Sequence, residues 1–73
     1  MTRGQRKFLT KRLQNNVETK CYGNVSDLFL WSLTREGNII WVEYEKDDGH
    51  GRRYENINDF CDETQAKIIQ LLN

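Results

Sequence analysis

Proline is absent from the chain, histidine occurs once, cysteine twice, and no apolar run approaches the length of a membrane span. Without proline, no residue deletes a backbone donor from the middle of a helix or strand. No stretch reaches the ~18 apolar residues of a spanning helix, and no apolar segment follows the basic start, so a cytoplasmic protein is expected. Cys21 and Cys61 lie far apart and form no CxxC pair. That spacing argues against a zinc or redox motif and leaves reduced, buried thiols as the expectation. Net charge is missing as well, since 11 basic and 11 acidic residues cancel. No catalytic motif, nucleotide-binding loop or metal-ligand cluster is present, so neither an enzyme nor a cofactor is expected.

What the chain does have is enough apolar and aromatic residues to fold, with 37% hydrophobic and 30% charged positions. Its 73 residues make one small domain, 1–73, of a size where a single core is marginal and oligomerisation often supplements it. The cancelling charges are also unevenly laid out. Residues 1–26 hold Arg3, Arg6, Lys7, Lys11, Arg12 and Lys20 against Glu18 alone, and the remainder carries the balancing acidic excess. Such asymmetry points either to an electrostatically guided partner or to attraction between the two halves.

Leu9, Leu13, Val17 and Cys21 recur every four residues, with Gly23 and Asn24 behind them as a stop signal, and predict an amphipathic helix over about 5–22. The alternative ends that helix at Asn15 and Asn16 and makes 17–22 a short strand. Residues 27–34 and 39–46 read as a hairpin, with Gly37 supplying the positive φ of a tight turn. A polar loop, KDDGHG, leads to a third, charged strand over about 51–55. Ile57 and Phe60 then precede a helix over about 62–72, opened by Asp62 and Gln65 at capping-box spacing. The fold expected is α+β in two layers: α-β-β-β-α, a three-stranded antiparallel meander with both helices mainly on one face.

An even-numbered hairpin loop sets Leu33 opposite Ile40, Trp31 opposite Val42 and Phe29 opposite Tyr44, which gives one continuous apolar face for the core. Leu28, Leu30, Ile39 and Trp41 then point the other way. If both helices occupy the first face, these four form an uncovered patch able to bind a partner protein or a second copy of the chain; if one helix covers each face, they are core. The function expected is therefore a small non-enzymatic protein-binding module, acting on another protein or on itself as a homodimer, of the kind used as an accessory or inhibitor protein by phages and mobile elements. The alternative is nucleic-acid binding through a basic helical stripe of Arg3, Lys7, Lys11 and Gln14. Asp47, Asp48 and His50 supply too few ligands on too flexible a loop for a metal site and read as a solvated turn.

Overall fold

The computed structural model describes residues 10–72 apart from Tyr22, and leaves the side chains of Thr10, Cys21 and Asn24 outside the description. Four antiparallel strands lie in sequence order: β1 (Thr10–Cys21), β2 (Asn24–Glu36), β3 (Ile39–Lys46) and β4 (Arg52–Asn56). A 3-10 turn at Ile57–Asp59 leads into the helix α1 (Asp62–Gln70). The α+β class is as expected, but over Thr10–Cys21 the first predicted helix is a strand. Leu9, with Arg3 and Lys7 of the basic stripe, lies outside the described residues. Among those residues no helix is long and apolar enough to cross a membrane.

The reason for the misplaced helix is arithmetic. A spacing of four residues keeps side chains near one stripe of a helix, yet four is also even, so the same residues share one face of a strand. Leu13, Val17 and Cys21 fit both patterns. Thr10, Val17 and Thr19 favour extended backbone, and two consecutive asparagines weaken a helix centre. Gly23, read as a helix cap, has φ +83° in the turn joining β1 to β2, where Cys21 pairs with Asn24. Its positive φ was legible, though not the element it terminates.

The loop of the β2–β3 hairpin is even-numbered, as expected, but consists of Gly37 and Asn38 rather than Glu36 and Gly37 or the four residues 35–38, with Gly37 at φ +61°. Its register is displaced by two residues from the predicted one: Leu33 stands opposite Val42 rather than Ile40. A larger correction follows along the same strand. Between Leu30 and Ser32 the pairing shifts, so Trp31 is an extra residue in β2 and the alternation of β2 changes phase there. Leu28, Leu30 and Leu33 consequently share the face of Val42 and Tyr44.

That face carries α1. Leu30, Leu33, Val42 and Ile68 are wholly buried, joined by Leu13, Leu28, Tyr44 and Ile57, with Val17, Ile40, Phe60, Leu71 and Leu72 packed against them. Burying Ile68 alone contributes roughly 1.5–3 kcal/mol. The helix packs against β1, where Lys67 Nζ donates to the Glu18 carbonyl at 2.6 Å and Lys11 Nζ to that of Leu71. Cys61, not Asp62, is the N-cap, and no side-chain capping bond forms; Gln65 does reach back, its Nε2 donating to the Phe60 carbonyl at 2.7 Å. Ile57 and Phe60 close the end of the core, Phe60 meeting Tyr44 edge-on at 5.3 Å. Cys61 is disulfide-bonded, which corrects the expectation of reduced thiols.

Candidate functional site: the sheet face opposite the helix

The face turned away from α1 is built from alternate residues of β1, β2, β3 and β4. Its central pair is Ser32 and Glu43, directly opposite each other, with Ser32 Oγ donating to Glu43 Oε1 at 2.7 Å. Glu43 is only 5% exposed because Tyr54, its partner across β4, and Arg52 close over it. Arg52 reaches Glu43 Oε2 at 3.5 Å and lays its guanidinium over the Trp31 ring, 3.7 Å from the centroid. Burial pushes the Glu43 carboxyl up, but hydrogen bonds from Ser32 and Tyr54 and the charge of Arg52 outweigh it and hold the group below its usual range.

Trp31 organises the rest. Its indole Nε1 donates to Glu45 Oε1 at 3.1 Å, and its ring meets Phe29 edge-on with centroids 4.7 Å apart. On one side of Trp31 lies a hollow of about 320 Å³ lined by Asn16, Asp27, Phe29, Glu45, Lys46 and Asp47. A second hollow of about 250 Å³ continues from it and is shared with Ser26 and Asp48. Trp31 also lines a third hollow, of about 580 Å³, whose other walls are Arg12, Leu13, Gln14 and Arg52. Arg12 comes here because it pairs with Ser32, next to the irregularity between Arg12 and Asn15 in β1. The face is thus bipolar, acidic on one side of the tryptophan and basic on the other.

The partner set expected from sequence is divided by this arrangement. Leu28 and Leu30, assigned to the uncovered face, are 2% and 0% exposed under α1. Ile39 and Trp41 do lie on the face opposite the helix, both half-buried, with Trp41 paired to Thr34 and Asn56. Phe29 and Trp31, assigned to the core, stand on the open face in place of the two leucines. The sequence signal for this exchange was the leucine triplet at 28, 30 and 33, which shares a face only if the strand shifts phase between 30 and 33. Of the basic stripe only Lys11 and Gln14 are among the described residues, and they are separated. Lys11 lies on the helix face, bonded to Leu71, whereas exposed Gln14 lines the basic hollow.

At the tip of the third hairpin, Asp48 accepts from the His50 amide at 3.1 Å and pairs with Arg53, and both interactions lower its carboxyl below the usual range. Among the described residues no three His, Cys, Asp or Glu side chains group as metal ligands. No protein-family model, curated protein or solved structure matches the chain.

Proposed function

We propose that this chain is a small, non-enzymatic protein-binding module that works through the sheet face opposite α1. The observation that carries the reading is the position of Phe29 and Trp31. Two large aromatic rings stand on the face without the helix, half-buried and lining its hollows rather than sunk in the core. Aromatic anchors inside a polar rim are the usual anatomy of a protein contact surface. Their supports are fixed in advance: Arg52 and Glu45 hold Trp31 from two directions, so little side-chain freedom remains to be lost on association. A module of this kind acts by occupying a surface, which suits an accessory or inhibitor protein of a phage or mobile element.

The test is a photo-crosslinking residue placed at Asp27, which is exposed beside Phe29, with the same probe at exposed Asn58 as control. A discrete protein adduct from position 27, absent from position 58 and lost on Trp31→Ala, is the expected result. Adducts with nucleic acid alone, or none, would overturn the reading; the first of these favours the alternative in which Arg12 and Arg52 meet phosphate.

A further inference from the structure

Building on the reading of this face as a contact surface, we infer that its occupant is a second copy of the same chain, docked about a two-fold axis beside Trp31. The argument is one of symmetry and charge. On one side of Trp31 stand Asp27, Glu45 and Asp47 with Lys46, a net of two negative charges; on the other stand Arg12 and Arg52, the latter over Glu43, a net of one positive charge. A partner of uniform sign meets attraction over one half of this face and repulsion over the other. A copy of the chain, rotated by half a turn, lays its basic side on the acidic side of its mate, and its acidic side on the basic side. Both contacts are satisfied at once, which is the condition for an isologous dimer.

Size and chemistry agree with that geometry. A stable interface takes about 800 Å² from each partner, roughly a sixth of the 4951 Å² surface of the chain. The molecule extends 35 × 25 Å in its two longer directions, so one sheet face is large enough. Trp31 lies between the charged sides with Phe29 edge-on against it, where the dry centre of such an interface falls, and the exposed Arg12, Gln14, Asp27 and Asp47 form its rim. Arg52 serves inside each copy and between copies: its side chain is 46% exposed even while it contacts Glu43 and Trp31.

The experiment is sedimentation equilibrium over a concentration series, with two charge-reversed variants made only at exposed residues. One carries Asp27→Lys and Asp47→Lys; the other carries Arg12→Glu and Gln14→Glu. The wild type is expected to dimerise, more weakly as salt rises. Each variant alone is expected to sediment as a monomer, with its circular dichroism spectrum unchanged, and an equimolar mixture of the two to restore a one-to-one dimer. A wild type that stays monomeric to about 1 mM, the weak end of specific binding, overturns the inference. So do variants that still dimerise alone, or a mixture that fails to pair. The crosslinking test keeps the two failures apart. An adduct of foreign mass at position 27 retains the contact surface and removes the dimer; no protein adduct removes both.

Discussion

Glu43 and Tyr44 are neighbours on β3 and point to opposite faces of one sheet, and they divide the molecule into two kinds of interior. Tyr44 is 1% exposed, among Leu28, Leu30, Leu33, Val42 and Phe60, with its hydroxyl donating to Glu55. Glu43 is nearly as buried, yet its surroundings are Ser32, Tyr54 and Arg52. The helix face gains stability from apolar area, which has no directional demand. The opposite face keeps a carboxylate out of water only by saturating it with donors, which fixes Trp31 and Arg52 in place. One face stabilises the fold and the other holds a shape.

The largest contrast is expected from truncation. Ile68→Ala and Leu30→Ala each remove a wholly buried side chain from the helix face and should cost about 2–5 kcal/mol, depending on how far the site collapses. Phe29→Ala and Trp41→Ala, half-buried on the other face, should cost clearly less. Urea unfolding followed by circular dichroism measures both pairs. Equal losses would mean that the two faces are one continuous core.

Reduction comes next in size. Cys61 immediately precedes α1, so its disulfide ties the start of the helix covalently to the rest of the fold. Breaking such a bond typically costs about 2–4 kcal/mol. The melting temperature should therefore fall on adding reductant, and a Cys61→Ser variant should show the lower value with or without it. The helix-face truncations should shift both forms equally, since they lie in the same core but not in the crosslink.

How much of this was legible depends on which residues carried a directional signal. Gly37 marked the hairpin turn and its even loop because a positive φ needs glycine, and the charged run 51–55 was read as a strand, which the structure has at Arg52–Asn56. Helix α1 was legible from Ala66, Ile68, Ile69, Leu71 and Leu72, whose spacing is not a multiple of two throughout. Strand β1 was not, because Leu13, Val17 and Cys21 at intervals of four satisfy both periods. The site suffered most. One extra residue at Trp31 exchanges Leu28 and Leu30 for Phe29 and Trp31 across the sheet, and a bulge has no composition of its own. The disulfide was missed because spacing along the chain carries no distance in space.

On the polar face, Glu43→Gln tests whether saturation is what matters. The folded carboxyl sits below its unfolded value of about 4.5, so its contribution is fully present above that pH. It is lost as pH falls through the lower, folded value. The glutamine variant should be destabilised at neutral pH by about 1–3 kcal/mol, the cost of unbalancing a buried charged hydrogen-bond set. It should also lose part of the acid-induced decline. Stability measured between pH 3 and 7 on both proteins gives the difference curve; parallel curves would show that Glu43 is not held as the structure has it.

Tyr44→Phe supplies the matching experiment on the helix face and the smallest expected effect, about 1 kcal/mol at neutral pH for the hydrogen bond to Glu55. Burial first, then the Glu55 carboxylate, push the Tyr44 hydroxyl up to about 12 from an ordinary 10.0. The folded state thus keeps its proton where the unfolded state has released it, and stability declines as pH rises from about 10 to 12. Phenylalanine has no proton to lose, so the wild type's excess stability should shrink across that interval while the two proteins keep a constant difference below it. Adjacent residues then fail at opposite ends of the pH scale: Glu43 in acid because its donors lose their acceptor, Tyr44 in alkali because an apolar layer must admit a charge. A Tyr44→Phe difference that stays constant to pH 12 would place the hydroxyl in contact with water and make the helix face less dry than its leucines imply.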